Sequence, residues 1–503
     1  MQNLVTPAAS SVPNKSTTGN SNSSKSSLQG DRPNTDSTLS ERRLAKVTAV
    51  NYKRNADSDY TEKIEALDSD FDYERDRHHL WGDPALSILY GTPLYDQASE
   101  SQRLALNHLY WATQYNQTAA TEANAVLYNQ VTADVFSAVG GYDSLCEELT
   151  LETQQERHHI HAFHNIGYKT KKALLGASGF SHSIRGSARG RSKRSLQSGK
   201  SDSRLGQTAR QFGKVAESLS RQTGLSSSQQ DLLPTVRDTL FRFTTQQVVL
   251  RKQSKFYSNY LKSFDDKGLA IPAQTTGLLG QIAPKPCLQF FTLNCGSSPF
   301  IACVFYATRF MANMLLKNYE YRYVRFHRQL EKSGEFIPAP TAVSTYHLMD
   351  EAFHTTTSQL IAQDLYKAFP KPTAYEKWLA NLIIYRAQVV ALSGLSGGLP
   401  AIFRSDASLM ASYYQLLRSS AFDFTRQEAL QWLERCLCQE TEGLHQNREH
   451  HQRLRNDLRR HFEPMDYLWP VNREVRVMAA GDSVERAVKN NISAFKQFSE
   501  SVV

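Results

Sequence analysis

The sequence predicts an all-α protein. Apolar residues recur at helical spacing over long stretches, Gly and Pro clusters fall between those stretches, and no convincing run of alternating strands occurs. The first 40 residues carry ten serines and almost no large apolar side chain, a composition that cannot offset the entropy of ordering. Residues 1–75 therefore read as a mostly disordered tail. From about Leu80 the chain turns apolar and aromatic, with Trp81, Leu86, Ile88, Leu89 and Tyr90. A long helix is expected over 101–136, ended by Gly140 and Gly141. Ser144 with Glu147 reads as a capping box opening a second helix that runs to about Ile166.

Between Tyr168 and Asp231 there are 13 Lys or Arg and 3 Asp or Glu, which accounts for the net +9 of the whole chain. That segment, rich in Ser, Gly and Gln and containing Arg185, Arg189, Arg191, Lys193 and Arg194, reads as a mobile basic insertion with a short helix near 210–221. Helical patterns resume over 234–264, 299–330, 341–369, 375–392, 407–420 and 425–461. A short strand is expected at 474–478. A final amphipathic helix begins near Ser483, with Val484, Val488, Ile492 and Phe495 on one face. The divisions expected are a tail (1–75), the first half of a helical domain (76–168), the insertion (169–232), the second half (233–465) and a C-terminal extension (466–503).

Six cysteines without CxxC spacing argue against a disulfide scaffold or a zinc site. The chain opens with no signal-like segment, and the most apolar stretch, 300–316, contains Arg309 and Asn313. A soluble, cytoplasmic protein is expected.

Two Glu-x-x-His steps carry the chemistry: Glu156 with His159, and Glu351 with His354. Chance alone yields roughly 1.5 acidic-x-x-His steps at this composition, so spacing must carry the weight. Glu122 precedes Glu156 by 34 residues and Glu320 precedes Glu351 by 31, and a helix break lies inside each interval. Each pair reads as a helical hairpin that brings the upstream Glu level with its partner's Glu-x-x-His. Two hairpins make a ferritin-like four-helix bundle with additional helices. Its ligand set, one Glu from each of two helices and one Glu-x-x-His from each of the others, suits a carboxylate-bridged di-iron or di-manganese centre. His347 lies four residues before Glu351 and seven before His354, within an arc of roughly 60° on one face. Glu122 and Glu351 sit among small or apolar neighbours, where an unpaired carboxylate is costly.

The order and spacing of Glu122, Glu156-x-x-His159, Glu320 and His347-x-x-x-Glu351-x-x-His354 resemble the seven-ligand site of the p-aminobenzoate N-oxygenase (AurF-type) di-iron family. Thr92-Pro93-Leu94 and Leu106-Asn107-His108-Leu109-Tyr110-Trp111 share that resemblance, which covers roughly residues 80–165 and 235–400. Asp350 precedes Glu351 as in the common Asp-Glu-x-x-His form, whereas Gln155 precedes Glu156, so hydrogen bonding behind the ligand histidines is expected to be asymmetric. The resemblance implies two iron ions, dioxygen as co-substrate, an external electron donor and a small organic substrate, an aryl amine in characterised members. It also implies an electron-transfer partner; the sequence leaves the oligomeric state open, a homodimer being one option.

Two rivals stand beside this N-oxygenase reading. One keeps the site and makes the enzyme a hydroxylase or desaturase of a lipid or other aliphatic substrate. The other is a non-catalytic iron-handling or interaction protein. The basic insertion reads first as a surface loop, with nucleic acid, an anionic membrane or an acidic carrier protein as its alternative partners. His158, His161 and His164 accompany the second helix, where a Glu152/Glu156 register would turn a different face inward. His445, His450 and His451 lie in a charged run that reads as a solvated face, and Cys436 and Cys438 as ordinary helix residues.

Overall fold

In the computed structural model the described residues are 35–176, 258–272, 285–395 and 407–502. In chain order the helices are α1 (Thr35–Asp57), α2 (Thr61–Asp70), α3 (Tyr73–Asp76), α4 (Pro93–Gln97), α5 (Glu100–Val139), α6 (Asp143–Leu175) and α7 (Asn259–Asp266). There follow α8 (Lys285–Cys295), α9 (Pro299–Ser333), α10 (Ala339–Gln363), α11 (Ala374–Leu392), α12 (Ala407–Arg418) and α13 (Arg426–Leu437). The chain closes with α14 (Glu442–Phe462), α15 (Pro470–Arg473), α16 (Arg476–Ala480) and α17 (Val484–Val502). No strand occurs among the described residues, so the fold is all-α as the sequence predicts.

Two long hairpins, α5–α6 and α9–α10, pack side by side as a four-helix bundle. Each has a local cause. Ser99 and Gln102 form a capping box that starts α5, and Ser298 with Pro299 starts α9. Gly140 and Gly141 make the reversal between α5 and α6 in the left-handed region, and Gly334 does the same after α9. One apolar cluster fills the end of the bundle near the α5–α6 turn, with Val135, Phe136, Leu149, Phe300, Val304 and Ile361. A second fills the other end, with Leu109, Trp111, Tyr115, Phe163, Tyr323 and Val343. Between them lies a buried polar layer. By length and composition α9 could cross a membrane, but 78% of its most apolar window is buried inside this fold.

Several expectations need correction. Residues 35–70, assigned to the tail, form α1 and α2, which pack on α6, because Leu44, Ile64 and Phe71 supply the apolar contacts that the serine-rich start lacks. The Ser144/Glu147 capping box does not form: α6 begins at Asp143 after Tyr142, with no side-chain cap, and continues nine residues past Ile166 to Leu175. The expected 425–461 helix is two, α13 and α14, interrupted after Leu437. The 474–478 strand is instead the junction of α15 and α16, where Val475 takes a left-handed conformation and Val475 and Met478, three apart, face inward together. The insertion beyond Gly176, its short helix and the first part of the 234–264 helix lie outside the described residues.

The start of α14 is pressed against the segment before α4. Gly443 N–H donates to Gly91 O at 3.2 Å, and a Cβ on Gly443 meets the Tyr90 carbonyl oxygen at 2.4 Å. Only glycine fits that approach.

Candidate metal centre

All seven residues singled out by spacing project into the polar layer, and none is more than 6% exposed. Glu122 comes from α5, Glu156 and His159 from α6, Glu320 from α9, and His347, Glu351 and His354 from α10. Six of them fall into two overlapping groups able to hold a cation: Glu122, His159, His347 and Glu351, and then Glu156, Glu351 and His354. Glu351 belongs to both. Glu320 belongs to neither group; its Oε1 accepts from His347 Nδ1 at 2.7 Å and from the Tyr115 hydroxyl at 2.8 Å.

Each imidazole is held from behind. His159 Nε2 donates to Asp350 Oδ2 at 3.2 Å, which leaves Nδ1 without a partner. His354 Nε2 donates to Gln155 Oε1 at 2.9 Å, so Nδ1 faces Glu351 Oε1 at 2.7 Å. His347 Nδ1 is taken by Glu320, so Nε2 faces Glu122 Oε1 at 2.8 Å and Glu351 Oε1 at 3.8 Å. The partners cross over: Asp350 on α10 orients the histidine of α6, and Gln155 on α6 orients the histidine of α10. A carboxylate thus lies behind His159 and an amide behind His354. Asn55 of α1 fixes the amide by accepting from Gln155 Nε2 at 2.9 Å. A carboxylate behind a ligand histidine fixes its tautomer and raises its basicity more than an amide does.

Burial pushes the Glu122 carboxyl up to about 7, opposed by the nearby His347. Burial raises Glu320 as well, again against His347. For His347 burial disfavours the charged form, but Glu320 and Glu122 outweigh it and hold the imidazole well above its ordinary range. His354 is raised in the same way, burial being outweighed by Glu351 and Glu152. Glu351 moves oppositely: burial opposes ionisation, but His354 and His347 hold its carboxyl below the usual range.

The donor set fits a pair of hard divalent cations. Glu122 Oε2, Glu156 Oε2, Glu320 Oε2 and His159 Nδ1 are buried with no hydrogen-bond partner, a cost of about 1–3 kcal/mol each if left so. Carboxylates and imidazoles in this proportion suit iron or manganese, and Glu351 is common to both groups.

Sequence reasoning left out part of the layer. Arg309, which appeared only as an interruption of an apolar helix, is buried and ion-paired to both Glu152 and Glu156. Glu148 is also buried, with Oε1 accepting from Asn51, Asn55 and Thr357, and burial followed by Glu152 lifts its carboxyl to about 7. Glu148, Glu152 and Glu156 recur at four-residue steps on one face of α6, a stripe visible in sequence but read there only as an alternative register.

The other histidines lie elsewhere. His158 and His161 pair with Glu65 and Asp68 of α2, and His445 with Glu440 at the surface. His451, expected on a solvated face, is buried, with Nε2 donating to Met478 O at 2.9 Å. Cys436 is a core residue and Cys438 is half-buried, both as free thiols.

Compared with known proteins, the chain matches the family model described as "Acyl halogenase CylC-like" over residues 43–499. No curated protein and no solved structure matches it. The match spans the bundle, both hairpins and the C-terminal helices, and it is to this family rather than to the p-aminobenzoate N-oxygenases specifically. The chain belongs to the CylC-like acyl halogenase family.

Proposed function

We propose that this protein is a non-haem di-iron oxidative enzyme that halogenates an acyl group. The observation that carries the metal reading is Glu351, buried and common to both ligand groups. The reaction class comes from the family's description, an acyl halogenase, and an acyl chain falls on the aliphatic side of the alternatives that the sequence left open. Replacing a C–H hydrogen by halogen is an oxidation. One C–H bond, one halide ion, one dioxygen, two electrons from an outside donor and three protons give one C–halogen bond and two waters.

Glu122, His159, His347 and Glu351 would hold one ion, and Glu156, Glu351 and His354 the other. When bound, two iron ions supply the reduction of dioxygen that makes an unreactive C–H bond attackable. The chain's own residues prepare the site. Asp350, Gln155 and Glu320 fix which nitrogen of each imidazole faces inward. Tyr115 donates to Glu320 and so holds the carboxylate that orients His347. The apolar clusters at both ends of the bundle keep bulk water from the polar layer, which strengthens every electrostatic interaction inside it.

The test is to supply iron-loaded protein with reductant, dioxygen and chloride or bromide, and to offer acyl groups as free acids and thioesters beside a panel of aryl amines. A halide-dependent product with the halogen isotope pattern supports the proposal. Oxidised aryl amine with untouched acyl substrate would return the function to N-oxygenation. Oxygen consumption without product from either class would support the non-catalytic reading.

A further inference from the structure

Arg309 and Glu152 have no part in the reading above, yet both are buried against one of its ligands. Arg309 Nη2 donates to Glu156 Oε1 at 2.8 Å and Nη1 donates to Glu152 Oε2. Glu152 is fully buried, one turn before Glu156 on α6, and its Oε1 has no partner. The two oxygens of Glu156 thus stand in different situations. Oε2 is unpartnered and lies 4.0 Å from the free Nδ1 of His159, whereas Oε1 faces His354 Nδ1 at 3.5 Å and is already held by the guanidinium. A cation approaching between His354, Glu351 and Glu156 meets the positive charge of the guanidinium on the Glu156 oxygen that faces His354.

We propose that Arg309 is a positioning residue that makes the two metal positions unequal. It holds Glu156 Oε1 away from the ion bound by Glu351 and His354, so that position fills second and more weakly. Glu152 is the carboxylate onto which the guanidinium shifts as that ion binds. A buried guanidinium is costly without a partner, and the unpartnered Oε1 of Glu152 gives it a second acceptor without leaving the layer. The inference rests on the metal reading proposed above.

The test uses the full chain, stripped by chelator and titrated with Mn2+, the free ion being counted by its electron paramagnetic resonance signal. The parent should bind two ions with unequal affinities. Arg309→Met should tighten the weaker position by about tenfold or more, because a repelling charge and a competitor for Oε1 are both removed. Glu152→Gln should weaken that position by about tenfold, because Arg309 is left with Glu156 alone, and the stronger position should change by less than about threefold. Opposite signs are the diagnostic result: a pair serving only to hold the bundle together would weaken binding in both variants, and that result overturns the proposal. If Arg309→Met does not fold, as judged by circular dichroism, Arg309→Gln carries the same expectation in the same direction. Two ions of equal affinity in the parent overturn this inference alone. No bound Mn2+ in the parent overturns the metal reading, and this inference with it.

Discussion

Asp350→Asn isolates the hydrogen bond behind one proposed ligand, His159, while leaving the proposed ligands themselves intact. Asp350 Oδ2 accepts from His159 Nε2 at 3.2 Å, and both side chains are wholly buried. The amide can still accept through its carbonyl oxygen, so the tautomer of His159 is retained and only the charge is lost. A charge-assisted hydrogen bond contributes about twice what a neutral one does, about 2 against about 1 kcal/mol net, so the difference is about 1 kcal/mol. That corresponds to about a fivefold loss of affinity for the ion next to His159. Asp350→Ala removes the acceptor altogether and should cost about 10–100-fold. The chain contains its own control, since Gln155 already plays the neutral part behind His354. Gln155→Glu should therefore tighten the position that His354 serves. The assay is competition for metal with a chelator of known affinity, monitored on protein whose circular dichroism matches the parent. Unchanged affinity in Asp350→Ala would refute the reasoning, since it would mean that His159 does not bind metal through the nitrogen that Asp350 leaves free.

Chelator-treated protein should lose stability as pH rises. His347 and His354 have folded pKa values raised above 6.5, so their contribution is complete below 6.5 and is lost as pH climbs through the folded values. Glu122, raised from 4.5 to about 7, also binds its proton more tightly when folded, and its contribution fades across that interval. Glu351, whose carboxyl is lowered, adds stability above 4.5 and loses it only on acidification. A melting temperature measured from pH 5.5 to 8.5 should therefore fall without metal, and should fall less with metal, whose binding releases those protons. Trp111→Phe should cost about 2–3 kcal/mol in denaturant titrations, because the buried indole N–H donates to Ser344 Oγ at 2.8 Å and Pro340 O at 3.1 Å. Gly443→Ala should cost about 1–3 kcal/mol by the same assay, since its Cβ would strike the Tyr90 carbonyl; an equally stable variant would show that this segment yields freely.

The meeting of these buried Glu and His side chains was legible because a cluster in a helical bundle is written as spacing. Intervals of 34 and 31 residues with a break inside each are a statement about hairpins, and hairpins decide which side chains meet. Hydrogen bonds behind the candidate ligands were legible only in kind. Asp350 and Gln155 could be named from their neighbours in sequence, but each turned out to serve the histidine of the opposite hairpin, which depends on how the hairpins face one another. Arg309 was hidden by its own helix, where one charge in an apolar run reads as an imperfection until its partners on α6 are known. Glu320 looked equivalent to Glu122 by spacing. Its engagement with His347 Nδ1 and Tyr115 depends on side-chain rotamers that spacing does not specify. The strand at 474–478 failed for a local reason, since five residues with alternating apolar positions fit a helical junction equally well.

The most direct measurement is the metal content of the anaerobically reconstituted parent beside Glu122→Ala and Glu351→Ala. If Glu351 is shared by two ions, the parent should hold about two irons per chain, Glu122→Ala about one, and Glu351→Ala close to none. A parent that takes up no iron, or a Glu351→Ala variant that binds as much as the parent, would contradict a shared dinuclear centre.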